Sequence, residues 1–133
     1  MMQSSVVHFE VHADNPERAA KFYADLFGWE ITKWENPHME YWMVMTCPKG
    51  TPSAINGGLV RRQGPRPETA GPVNGYVCTL AVENLDAKME EVVAAGGSVA
   101  LPKFAIPGMA WQSYCKDTEG NIFGLHQPDE SAK

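Results

Sequence analysis

Apolar and polar positions alternate with a period of two in VVHFEVHA (6–13), then switch to a helical period in NPERAAKFYADLFG (15–28). The first segment predicts a strand with Val7, Phe9 and Val11 on one face and His8, Glu10 and His12 on the other. The second predicts a helix. Asn15 suits the N-cap, Pro16 the first helical position and Glu17 the positive helix end, and Gly28 provides the stop. Ala19, Phe22, Tyr23, Leu26 and Phe27 form its apolar stripe, expected to cover the apolar face of the strand. Strand-like WEITKW follows.

The same order returns after residue 75. YVCTLAVE predicts a strand, NLDAKMEEVVAAGG a helix capped by Asn84 with a stripe of Leu85, Met89, Val92 and Val93, and SVALPKF another strand. Cys78, on the strand before this helix, is expected in the core. Each half continues with two further apolar, turn-bounded segments. The chain therefore predicts two copies of a βαβββ unit, an α+β fold whose two half-sheets, set side by side, can curve around a shared cavity. Module 1 spans 5–63 and module 2 spans 75–128 of a single domain, 1–133. The Pro- and Gly-rich stretch at 64–74 is the linker. Function is expected in the cavity between the modules.

Alternation also proposes the walls of that cavity. In HMEYWMVM, Met39, Tyr41, Met43 and Met45 oppose Glu40, Trp42 and Val44. In MAWQSYCK, Trp111, Ser113 and Cys115 oppose Gln112 and Tyr114. Either Trp42 or Tyr41, and either Trp111 or Tyr114, can line a ligand site, with core packing the competing role for each. Tyr76 and His126 complete the set of ligand-binding candidates, and His8 with Glu10 are the catalytic candidates. Arg61, Arg62 and Arg66 cluster at the linker, where they either grip an anionic tail or are simply solvated. His38, beside Pro37 in a turn, is expected at the surface.

Composition narrows the partners. A net charge of −5 over 133 residues argues against nucleic acid or an anionic membrane surface. No apolar run approaches the roughly 20 residues of a membrane span. MMQSSVVHFE lacks the pattern of a secretory signal, and Cys47, Cys78 and Cys115 are odd in number and widely spaced, as for reduced thiols in a cytoplasmic protein. There is no G-x-S-x-G elbow, no Cys/His signature and no glycine-rich phosphate loop ahead of a helix.

The opening HFEVHADNPERAAKFYADLFGWEI, its counterpart AVENLDAKMEEVVAAGGSV and the closing KDTEGNIFGLHQP, with its D-x-E-G-N turn before the last strand, resemble the vicinal oxygen chelate superfamily. That group includes glyoxalase I, bleomycin-resistance proteins, fosfomycin-resistance enzymes and extradiol dioxygenases. The resemblance covers essentially the whole chain and implies a mixed β-sheet in each module, the two forming a cupped, open barrel, and a homodimer. It also implies one divalent ion held by the first and last strands of each module, where Lewis-acid chemistry acts on substrate oxygens. Residue by residue, His8 falls on the first ligand position and Val77 on its counterpart, or Tyr76 if the alignment slips by one. Residues 51–67 contain no His, Asp or Glu, and the final position, usually Glu, is Gly124. One ligand of four survives, so the standard metal site is expected to be absent. His8 and His126 are the remaining metal candidates. Successive same-face residues of a strand stand roughly 6–7 Å apart, so His8, Glu10 and His12 cannot all bind one ion.

Two functions follow from the resemblance and the residues. One is a module that binds a small apolar or aromatic molecule without metal or other cofactor, as metal-free bleomycin-resistance proteins do. The other is a lyase, isomerase or dioxygenase in which His8 serves as metal ligand or base with Glu10 or His126 assisting.

Overall fold

Capped helices and alternating strands appear where the pattern places them. The computed structural model describes residues 3–133, which fall into two compact units: His8–Tyr76, and Val77–Lys133 with the residues before His8. The first module comprises β1 (Val6–Ala13), α1 (Pro16–Phe27), β2 (Glu30–Lys33), β3 (Trp42–Met45) and β4 (Gly57–Arg61). The second comprises β5 (Val77–Ala81), α2 (Leu85–Ala94), β6 (Ser98–Ile106), β7 (Ala110–Lys116) and β8 (Ile122–Pro128). Each is a βαβββ unit, and the fold is α+β. Among the described residues no helix is long and apolar enough to cross a membrane.

Both sheets are mixed and share one connectivity. In the first the order is β2-β3-β4-β1, with β1 and β4 parallel (Phe9 beside Gly57, Val11 beside Leu59) and the other pairs antiparallel. In the second it is β6-β7-β8-β5, with β5 and β8 parallel (Thr79 beside Gly124) and the other pairs antiparallel. Local chemistry sets the helices between them. The Asn15 side chain accepts from the Arg18 N–H, and the Asn84 side chain from the Ala87 N–H, so each cap satisfies a backbone donor that the helix leaves open. The Gly28 N–H closes α1 on the Ala24 carbonyl from a left-handed φ of 71°. Before β8, the Asp117 carboxylate accepts from the Glu119 and Asn121 N–H groups, which builds the D-x-E-G-N turn.

Each helix covers one face of its own sheet. Phe9, Val11, Ala13, Trp42, Val44 and Leu59 form the first core, with Ala19, Tyr23, Trp29 and Ile31 packed on it. Val82, Leu85, Cys115 and Leu125 form the second, joined by Leu80, Met89, Val92, Trp111 and Phe123.

Three expectations are corrected. Only Ala19 and Tyr23 of the α1 stripe reach the core. Trp29, stacked on Tyr23 at 4.8 Å, closes the core beyond them, and Phe22, Leu26 and Phe27 stay exposed. In α2, Val93 is likewise outside. Cys78 is exposed although it shares a strand face with Leu80, because α2 packs over Leu80 and Val82 and does not reach the start of β5. Cys115 is buried and Cys47 half-buried.

Candidate functional site

The face of each sheet away from its helix carries the polar chemistry. On β1, Phe9, Val11 and Ala13 are buried against the helix side, so His8, Glu10 and His12 project from the other face, all half-buried. Beside Glu10 and Met43 lies Gly58, and across it reaches Tyr41. The Tyr41 hydroxyl and His8 Nε2 share a hydrogen bond of 2.8 Å. That bond depends on the glycine: a Cβ at Gly58 would overlap the Tyr41 hydroxyl and its ring edge. Burial, and then the charge of Glu10, push the Tyr41 phenol well above its ordinary range, so it stays protonated.

Setting the two N-caps in correspondence, Asn15 with Asn84, matches His8 to Val77, Glu10 to Thr79 and His12 to Ala81. The strand registers agree, since Glu10 pairs with Gly58 and Thr79 with Gly124. Tyr41 then corresponds to Gln112. In the second module the polar face is made by Thr79, Gly124, His126, Gln112 and Tyr114. The Gln112 carbonyl oxygen accepts from His126 Nδ1 at 2.8 Å, so Nδ1 carries the proton and Nε2 offers a lone pair. Burial pushes the His126 imidazole below its ordinary value of 6.5, favouring this neutral form. Thr79 is 1% exposed, and its hydroxyl makes no hydrogen bond. A Cβ at Gly124 would strike that hydroxyl and come within 3.0 Å of Gln112 Nε2. The missing side chain of Gly124 thus makes room for a threonine hydroxyl and an amide N–H₂, which converge beside it. Tyr114, stacked on Phe104 with ring centroids 6.5 Å apart, adds an aromatic wall.

The sequence candidates divide between the two faces. His8, Glu10, Tyr114 and His126 lie on polar faces. Trp42 is in the helix-side core of the first module. Trp111 packs in the helix-side core of the second, its indole N–H donating to Asp129 at 3.0 Å and Lys103 sitting 4.5 Å over its ring. Tyr76 stacks on Phe9 at 5.4 Å and donates to the Tyr23 hydroxyl at 3.0 Å, which places it on the helix side; burial and that bond push its phenol up to about 12. Thr79 and Gln112 were not singled out by pattern. The signal for them was slight: one hydroxyl inside apolar YVCTLAV, and one amide between Trp111 and Ser113.

Paired βαβββ modules, each with a polar sheet face and a capped helix behind it, define a class of small α+β proteins. The chain belongs to the Glyoxalase/Bleomycin resistance protein/Dioxygenase superfamily, whose family model matches residues 5–125. A curated relative, the CFP32 protein of Mycobacterium tuberculosis, provisionally described as a glyoxylase, is 31% identical over 127 residues; the match covers 89% of this chain and 43% of that protein. The chain therefore spans less than half the length of the curated relatives it matches. Among solved structures, methylmalonyl-CoA epimerase from Mycobacterium tuberculosis superposes with a TM-score of 0.63 at 17% identity, covering 97% of this chain and 93% of that one. A superfamily member from Vibrio splendidus gives 0.61 at 18% identity, over 94% and 99% of the two chains. These two likenesses establish the fold.

The residues present do not fit the divalent ion that the family resemblance implies. The last-strand positions are Gly58 and Gly124, and a side chain at either would collide with Tyr41 or Thr79. The matched first-strand positions are His8 and the apolar Val77, and His8 Nε2 is already bonded to Tyr41. Among the described residues, no group of three or more His, Cys, Asp or Glu side chains could hold a metal ion.

Proposed function

We propose that this protein binds a small, largely apolar or aromatic molecule carrying an oxygen acceptor, without a metal ion, on the polar sheet face of its second module. The observation that carries this reading is the Thr79 hydroxyl, buried and unpaired beside Gly124. A buried polar group left unpaired costs about 1–3 kcal/mol. The hydroxyl has no accessible surface, so a ligand oxygen would reach it at Gly124 only as the Gln112 side chain moves aside, and His126 Nε2 would accept from a ligand hydroxyl. Tyr114 and Phe104 would flank its apolar body.

Screening a panel of aromatic ketones and phenols by thermal shift, followed by calorimetry on the best compound, tests this. Thr79→Val keeps the shape and removes the hydroxyl. It should weaken binding about tenfold, the loss of roughly one buried hydrogen bond, while leaving stability equal or improved. Binding unchanged by Thr79→Val overturns the reading. Elemental analysis of untagged, dialysed protein adds an independent check. About one equivalent of metal, lost in His8→Ala, would also overturn it.

A second reading is favoured by the His8–Tyr41 hydrogen bond: proton transfer by His8 with Tyr41 orienting its imidazole. Turnover of a ligand found in the screen, abolished in His8→Gln and retained in Thr79→Val, would support this reading over simple binding.

A further inference from the structure

A cavity of about 340 Å³ lies within the first module where the end of β1 meets the start of α1. Arg18, Arg62 and Arg66 line it, with Asp14 the one acidic residue among its walls. Three guanidiniums against one carboxylate is a local excess of positive charge in a chain whose net charge is −5. The arrangement is also ordered. Asp14 accepts from Arg62 Nε at 2.9 Å and from Arg66 Nε at 2.6 Å, and Arg62 Nη2 donates to the His12 carbonyl at 3.0 Å. One carboxylate thus holds two arginines by their Nε atoms, leaving Nη1 of Arg62 and both terminal nitrogens of Arg66 uncommitted. The Arg18 guanidinium makes no hydrogen bond or ion pair among the described residues.

The remaining walls decide the ligand's other half. Phe22 and Tyr23 both line the cavity and meet edge to face at 5.2 Å and 89°, forming an apolar corner beside the charges. Phe22 is half exposed, so an aromatic ring laid there would cover apolar surface that the fold leaves wet. Planar guanidiniums match carboxylate and phosphate oxygens through paired N–H donors. We propose that this cavity binds an aromatic anion, with the carboxylate or phosphate held by Arg18, Arg62 and Arg66 and the ring against Phe22 and Tyr23. Asp14 is a positioning residue that orients Arg62 and Arg66. Its carboxyl is itself held below the usual range, by Arg66 first and then Arg62, and remains ionised wherever the ligand is.

The site shares no residue with the Thr79–Gln112 face, and the two proposals fail separately. The test is calorimetric titration of the full chain with benzoate, phenyl phosphate and inorganic phosphate. Saturable binding of either aromatic anion, at least tenfold tighter than inorganic phosphate, is expected. The preferred head group identifies carboxylate or phosphate as the natural one. Arg18→Gln breaks no hydrogen bond or ion pair among the described residues, so it should keep the melting temperature and weaken binding at least tenfold. Phe22→Ala should weaken the aromatic anions and leave inorganic phosphate unchanged. No saturable binding of the aromatic anions overturns the proposal, as does binding that is indifferent to Arg18→Gln. Affinity that falls with Thr79→Val and not with Arg18→Gln would place the ligand on the other face and equally overturn it.

Discussion

Gly58 and Gly124 occupy the same place in the two modules, and the modules use that place differently. At Gly58 the missing side chain admits the Tyr41 hydroxyl, which completes a bond with His8. At Gly124 the missing side chain admits the Thr79 hydroxyl and the end of Gln112, and that hydroxyl meets no hydrogen-bond partner. One slot holds a phenol that bonds His8; the other holds a threonine hydroxyl that bonds nothing. Duplication supplied two equivalent faces, and the lesson of the pair is that packing helices behind them is conserved in kind while the faces themselves have diverged. The equivalence of the helix sides can be broken first, because it carries the largest effects. Leu59 and Leu125 are matched residues, 0% and 2% exposed, each beneath its own helix. Leu59→Ala and Leu125→Ala should each cost about 2–5 kcal/mol of unfolding free energy in urea. A large inequality between them would mean that the two cores are not equivalent.

The glycines come next. Gly58→Ala drives a Cβ into the Tyr41 hydroxyl and ring, and overpacking of that kind costs about 1–3 kcal/mol. Gly124→Ala meets a threonine hydroxyl and the far end of a flexible glutamine, so the cost should be smaller. Chemical denaturation of both variants decides the order; equal losses would remove the distinction between the two slots. Polar partners separate the modules further. Tyr41→Phe removes a satisfied hydrogen bond and should cost about 0.5–1.5 kcal/mol, whereas Thr79→Val removes a hydroxyl that bonds nothing and should be neutral or stabilising. A destabilised Thr79→Val would show that the hydroxyl is already satisfied in solution.

Much of this was legible in the sequence where a single residue carries its own physics. Asn15, Pro16, Asn84 and the Asp117 turn act through neighbours within four positions, and all sit where pattern put them. Alternation also placed His8, Glu10 and His12 on one face. It separated Tyr41 from Trp42 without telling which faces the helix, because Tyr-Met-Met on one side and Trp-Val on the other are about equally apolar. The meeting of Thr79 and Gln112 at Gly124 was out of reach for a different reason. It is made by β5, β7 and β8 together, and a threonine's unpaired hydroxyl is a property of that three-strand register and not of any local run. The α1 stripe shows the opposite failure: helical spacing marked five apolar residues, but the area available against the sheet accepts two.

The smallest effect expected is one of pH, and it isolates the second face. His126 is flanked in the sheet by Ala81 and Gln112, neither charged, and burial lowers its pKa below the ordinary 6.5. Between those two values the unfolded chain binds the proton more readily than the folded one, so stability must rise with pH through this window and fall as pH drops below about 6.5. Asp14, Asp117 and Asp129 have lowered values, and their contributions are present above the ordinary 3.8 and lost only in stronger acid, outside the window. Urea midpoints measured from pH 8 to 5.5 should therefore decline toward acid in the native chain. In His126→Gln, part of that decline should vanish. An identical decline in the variant would mean that His126 titrates alike in the folded and unfolded chain, so that burial does not favour the neutral imidazole whose Nε2 lone pair a ligand hydroxyl would meet.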